Sequence, residues 1–146
     1  MSCPVFEADR IRVEIVKAWD EDPIVDLYRA GGWWTETMDK TRLPELIRGS
    51  FLFAVAFDPV YGRTIGMGRV ISDGLSDAYL QDLIVLPEWR RNGVGRMIAG
   101  MLLESCRSRG IKWIGLIAEP GTEAFYRSLG FELMNGYAPM LFLDKI

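Results

Sequence analysis

Hydrophobic and polar positions change period several times along this chain. Residues 10–16 (RIRVEIV) alternate polar and apolar, the two-residue period of a half-buried strand. Between Asp22-Pro23 and Arg29, Ile24, Val25, Leu27 and Tyr28 supply the apolar face of a helix, with proline at an early position. Gly31-Gly32 ends that helix, and Trp33-Trp34 follow. A second short helix is expected over residues 43–48, with Leu43, Leu46 and Ile47 apolar. Residues 50–57 (SFLFAVAF) read as a strongly apolar strand, and Asp58-Pro59-Val60-Tyr61-Gly62 as a turn. Residues 64–71 (TIGMGRVI) return as a strand, in which Gly66 and Gly68 point to a bulge or to close packing. Ser72-Asp73-Gly74 turns the chain again. These consecutive strands with short turns predict an antiparallel meander.

The next stretch, residues 79–110, organises the rest. Its apolar run, residues 83–86, is a buried strand stopped by Pro87. A helix begins near Gly93 and ends at Gly110, a residue suited to the position just past a helix end. Val94, Met97, Ile98, Met101 and Leu102 share one face of that helix. Residues 111–118 form another apolar strand, Pro120 opens a short helix ending at Leu129-Gly130, and residues 131–133 and 138–143 read as closing strands. Strand, helix, strand is a βαβ unit, so part of the sheet contains a parallel pair or a splayed neighbour. The class is α/β with a mixed sheet, and no repeat or linker divides the 146 residues, so a single domain over 1–146 is expected.

Composition narrows the chemistry. Hydrophobic residues are 49% and charged residues 25% of the chain, as in a globular domain, and the formal net charge is −3. A net negative charge argues against a nucleic-acid partner, which needs a basic surface. No apolar run is long enough to span a membrane, and the first ten residues, MSCPVFEADR, carry no signal-like apolar segment, so a cytoplasmic protein is expected. Cys3 and Cys106 offer neither a disulfide framework nor zinc spacing, and Cys106, beside Leu102 on the helix, is expected to pack as a small hydrophobe. There is no histidine. That removes Ser-His-Asp and Cys-His catalysis and HExxH metal sites, and no metal is expected. Proton transfer is left to Asp, Glu, Tyr, Lys, Cys or water.

Between the strand and the long helix lies Arg90-Arg91-Asn92-Gly93-Val94-Gly95. The first N–H groups of a helix have no internal partner, and the helix dipole favours negative charge there. Glycines admit a ligand close to the backbone, and arginines suit phosphate. The Rossmann pattern requires a third small residue where this chain has Ile98. The nucleotide P-loop requires Gly-Lys-Ser/Thr, and Arg96-Met97 stands there instead. A second motif, Ala124-Phe125-Tyr126-Arg127-Ser128-Leu129-Gly130-Phe131, follows the next strand. Neighbouring strand–helix junctions can bring the Tyr126 hydroxyl near the anion site; an aromatic helix face packed on the sheet is the plainer reading.

Together the two motifs resemble the GNAT superfamily of N-acetyltransferases. The family's Arg/Gln-x-x-Gly-x-Gly/Ala turn, preceded by a Val-x-Pro-like segment, matches Val85-Leu86-Pro87-Glu88-Trp89-Arg90-Arg91-Asn92-Gly93-Val94-Gly95, and its aromatic-Tyr-x-x-x-Gly-Phe matches Phe125 to Phe131. In spacing and order the resemblance covers about residues 50–143. It implies a mixed, mostly antiparallel sheet of six to seven strands, splayed at a cofactor cleft and flanked by about four helices. Acetyl-CoA would be the acyl donor, its pyrophosphate on backbone N–H groups of Arg91, Asn92, Gly93, Val94, Gly95 and Arg96, with Arg90 alongside and Phe125 and Tyr126 lining the site. The pantetheine arm would pair with the backbone of Leu83 and Val85 as an added strand. A backbone N–H near Leu83 or Ile84 would stabilise the oxyanion.

The resemblance also implies Tyr126 as the acid that protonates the departing thiolate. The family's base positions fall on Tyr79 and Gln81, neither a ready base. Asp82 is the nearby carboxylate, but simple alternation points it to the opposite face, beside Leu80 and Ile84; a strand bulge would re-aim it, and water held by Tyr79 and Gln81 is the other route. Asp82 as a structural cap or network residue is an equal expectation. Gly121 stands where many relatives carry an asparagine near the cofactor, with Thr122 or backbone groups as its substitutes. The N-terminal helices, Trp33-Trp34 and the loop around Asn135-Gly136-Tyr137 would build the acceptor pocket, and Asp73 and Asp77 are either turn residues or holders of a cationic acceptor. The implied reaction is acetyl transfer to the primary amine of a small molecule. The other readings are a non-catalytic acyl-CoA sensor and a protein (lysine or N-terminal) acetyltransferase. Dimers are common in the family, so a homodimer joined through the C-terminal strands is an added expectation.

Overall fold

The computed structural model describes residues 10–144. Cys3 and most of the N-terminal stretch read above lie outside them. The chain falls into two compact units, one up to Gly115 and one from Leu116 on.

The first unit is built on a five-stranded sheet in the order β1-β2-β3-β4-β5. β1 (Arg12–Ile15), β2 (Leu52–Asp58), β3 (Arg63–Ser72) and β4 (Asp77–Val85) form the expected antiparallel meander, and β5 (Trp113–Gly115) runs parallel to β4. α1 (Glu21–Ala30) packs on β3 and β4, and α3 (Val94–Ser108) on β2, β3 and β4. α2 (Leu43–Gly49) lies between α1 and β2 in the chain and buries Leu43 and Ile47.

The two faces of the sheet are read from β3. A Cβ added at Gly66 would stand 2.8 Å from Ile98 Cδ1, and one at Gly68 3.0 Å from Ile98 Cγ2, so both glycines face α3. They are glycines because the helix sits too close for a side chain. Arg69, the next residue, points the other way and bonds to the residues beneath α1. The core follows: Ile98, Ala99, Leu102 and Cys106 of α3 are fully buried on one side, and Ile24 and Leu27 of α1 are fully buried as well. Cys106 packs as a small hydrophobe, and burial pushes its thiol pKa up.

In the second unit, α4 (Glu123–Ser128) forms where Pro120 announced a short helix. The six- to seven-strand expectation is corrected here. Among the described residues no strand follows β5, so residues 131–133 and 138–143 are not strands, and β5 covers only the middle of the expected 111–118. A strand is a property of a pair, and an apolar run without a ladder partner keeps only the propensity. Met140, Leu141, Phe142 and Leu143 are accordingly exposed.

Candidate active site

The turn between β4 and α3 is shaped by two left-handed residues. Arg91 has φ 65° and Gly93 φ 79°, while the helix starts at Val94. Alternation of left- and right-handed backbone turns successive N–H groups toward one concavity, which suits an anion. Gly93 caps the helix with its carbonyl, accepting from the Met97 N–H at 3.0 Å. The side chains on either side brace the turn. Asn92 Nδ2 donates to the carbonyls of Trp89 (3.3 Å) and Arg90 (3.1 Å), and Arg90 Nε donates to the Val85 carbonyl at 2.9 Å. Arg90 is thus tied back to the strand end, while Arg91 stands exposed at the turn. Val94 is buried and anchors the helix start, with Gly95 half-buried and Arg96 exposed beside it. Beneath the turn, Trp89 is buried against Arg10, whose guanidinium lies 5.9 Å from its ring and pairs with the buried Asp58 at 3.2 Å.

The two ladders on β4 end at different points. β4 stays paired with β3 as far as Val85, opposite Gly66. Its pairing with β5 covers only Asp77, Ala78 and Tyr79, opposite Trp113, Ile114 and Gly115. From Gln81 to Val85 the β5 side of β4 therefore lies outside that ladder. A stretch of strand edge is the template on which an extended ligand arm adds as a further strand.

A bulge in β4 decides where Asp82 goes. Arg69 pairs with Gln81 and Met67 with Ile84, so Asp82 and Leu83 together face the single residue Gly68. Asp82 takes the left-handed conformation, φ 56°, which aspartate tolerates better than most side chains. The extra residue inverts the alternation. Ala78 and Leu80 face α3 before it, Leu83 and Val85 after it, and Asp82 joins Gln81 and Tyr79 on the α1 face. Simple alternation, which put Asp82 beside Leu80 and Ile84, fails at this residue.

On that face one carboxylate oxygen of Asp82 holds two donors. Its Oδ2 accepts from Arg69 Nε at 2.6 Å and from the Tyr28 hydroxyl at 2.8 Å. Burial, and then the negative charge of Asp82, push the Tyr28 phenol far above its ordinary value, so it stays protonated and donating. The Arg69 guanidinium neutralises the carboxylate, and its Nη1 reaches Ser50 Oγ at 3.5 Å. These contacts make Asp82 the centre of a hydrogen-bond network. We expect Asp82→Ala to lower folding stability by about 2 kcal/mol in denaturant melts, because it leaves a half-buried guanidinium and a phenol without their acceptor. A change below about 0.5 kcal/mol, the size of an ordinary surface substitution, would contradict that role.

Tyr28 carries the network to the aromatic segment after α1. Its ring lies 6.2 Å from that of Trp33 and 6.4 Å from that of Trp34. Trp33 folds back over the helix end, where a Cβ at Gly31 would meet its ring at 2.6 Å. Asp73 is a turn residue: its carboxylate accepts from the backbone N–H groups of Ser76 and Leu75 and from the Ser76 hydroxyl, which hold its pKa below the usual range. Tyr79 and Gln81 are exposed on the α1 face. Tyr28 and Arg69, and Trp113 opposite Asp77, were not singled out from sequence; the polar Arg69 inside an apolar strand was the available signal.

In the second unit, Tyr126 sits on α4 with its ring 5.1 Å from Phe125 and 5.9 Å from Phe131, both near edge-on. Burial, and to a lesser degree the charge of Glu119, push its phenol pKa up, so it is protonated at neutral pH. Thr122, beside Gly121, donates its hydroxyl to the Glu119 carbonyl at 2.6 Å.

Residues 49–133 match the family model described as acetyltransferase (GNAT) domain. The chain belongs to the GNAT acetyltransferase family. It is 36% identical over 72 residues to serotonin N-acetyltransferase 2, chloroplastic, of Oryza sativa subsp. japonica, a match covering 49% of this chain and 36% of that protein. It is 33% identical over 84 residues to GCN5-related N-acetyltransferase 1, chloroplastic, of Arabidopsis thaliana, covering 57% of this chain and 43% of that one. The chain thus spans less than half the length of these two curated relatives. Among solved structures, a GNAT-family acetyltransferase of Streptococcus pneumoniae TIGR4 superposes with a TM-score of 0.78 at 26% identity, over 93% of this chain and 99% of its own. The GNAT fold expected from the paired motifs is present, with five strands in place of six or seven.

Proposed function

We propose that residues 1–146 act as one acetyl-CoA-dependent N-acetyltransferase domain for a small-molecule primary amine. The observation that carries this reading is the left-handed turn at Arg91 and Gly93, which follows the stretch of β4 left outside the β4–β5 ladder after Tyr79. The turn supplies backbone donors for a pyrophosphate, and the strand edge from Leu83 to Val85 supplies the pairing partner for a pantetheine arm. The activity for which the rice relative is named, serotonin N-acetylation, supports a small amine as acceptor over a protein.

In this reading the neutral amine attacks the thioester carbonyl carbon. A backbone N–H of Leu83 or Ile84, turned by the bulge, donates to the oxyanion. The C–S bond then breaks, the amine nitrogen loses its proton, and Tyr126 gives the phenolic proton to the thiolate. With Asp82 held by Arg69 and Tyr28, water on Tyr79 and Gln81 is the route by which the amine proton leaves.

Acetyl-CoA should raise the melting temperature of the protein, because a ligand that binds only the folded state stabilises it by mass action. No shift at millimolar acetyl-CoA, with a folded protein, would remove the reading. A second reading, acyl-CoA sensing without turnover, draws on the engagement of Asp82, which takes the nearest carboxylate out of base chemistry. Release of free CoA thiol in an amine panel separates the two.

A further inference from the structure

The last rung of the β4–β5 ladder carries two exposed aromatic rings. Tyr79 is 44% exposed and Trp113 40%, and their centroids are 5.2 Å apart at 58°. Cross-strand register places Trp113 opposite Asp77 and Gly115 opposite Tyr79, so both rings stand on the face that also carries Gln81 and Asp82. The indole lies over Gly115, where an added Cβ would meet its ring at 2.7 Å. Ile71, the β3 partner of Tyr79, is 41% exposed and extends the patch. Apolar side chains on the solvent face of a sheet are ordinary when single. A contiguous cluster beside an unpaired strand edge marks a binding surface.

We propose that Tyr79 and Trp113 form an acceptor-recognition wall for amines that carry a flat, apolar ring, with Trp113 the specificity-determining residue. This rests on the acetyltransferase reading above. The wall adjoins the unpaired edge of β4: the β4–β5 ladder ends at Tyr79 and Gly115, and two residues past Tyr79 stands Gln81 on the same face. A ring lying against Tyr79 and Trp113 directs its aminoethyl arm along that face toward the bulge. Two aromatic rings in a tilted pair offer a third ring both a face and an edge, the arrangements aromatic groups favour. A saturated ring of the same carbon skeleton buries similar area but lacks that match.

The test is a pair of acceptors, phenylethylamine and cyclohexylethylamine, assayed with acetyl-CoA by release of free thiol. The wild-type protein is expected to favour phenylethylamine about fivefold in kcat/KM, the size of one aromatic contact. Trp113→Ala should bring that ratio to about one through KM, and Trp113→Phe should keep most of it. Gly115→Ala should also erase it, by pushing the indole off the strand while Trp113 itself remains. Melting temperatures within a few degrees of wild type confirm that the variants are folded. Turnover without ring preference in the wild type, or a preference that survives both Trp113→Ala and Gly115→Ala, overturns the wall and leaves the enzyme reading standing. Absence of turnover on every amine, with acetyl-CoA still bound, overturns the enzyme reading and the wall with it.

Discussion

Gly93→Glu is expected to abolish acetyl-CoA binding while the protein remains folded. Gly93 has φ +79°, and a Cβ built on it meets nothing within 4 Å, so the side chain would extend into open space at the helix start. Glutamate there adds a negative charge among the N–H groups that the pyrophosphate needs, and bulk where the ligand approaches the backbone. A side chain in the left-handed region also costs about 1–2 kcal/mol. Gly93→Ala separates these effects: it carries the backbone cost without the charge. The expected result is a melting temperature that acetyl-CoA no longer raises in Gly93→Glu, but still raises in Gly93→Ala. Affinity retained by the glutamate variant contradicts the proposed pose.

The second large effect falls on chemistry. Tyr126→Phe is expected to lower kcat by roughly 10²–10⁴-fold and to leave acetyl-CoA affinity little changed. The phenol can serve as an acid because burial holds it protonated, and Glu119 pushes the same way. A thiolate that departs without a proton donor faces the higher barrier, whereas the ring packing with Phe125 and Phe131 is preserved by phenylalanine. The measurement is a saturation curve at neutral pH with the best amine of the panel, alongside acetyl-CoA titration by thermal shift. An unchanged kcat removes Tyr126 as the acid.

Local pattern accounts for much of what was read correctly. The alternation in residues 10–16, the apolar helix face at Ile24, Val25, Leu27 and Tyr28, and the amphipathic run from Val94 to Leu102 each report a period that one segment imposes on itself. The anion turn is equally local, since Arg91, Gly93 and the first turn of α3 are neighbours in the chain. Strand ends were less legible. β5 has three residues where eight were expected, and the runs at 131–133 and 138–143 have no ladder, because pairing depends on a partner elsewhere.

An α/β chain with a meander, a long central helix and a glycine-containing left-handed turn before it was legible from residues alone, because these features arise from contiguous segments. Contacts across the sheet needed the folded chain. Asp82 meets Arg69 across 13 positions and Tyr28 across 54, and a single bulge residue chooses the face on which they meet. Trp113 reaches Tyr79 only through the parallel register of β5 on β4. A one-residue change in register turns every later side chain to the other face, and no local period records it.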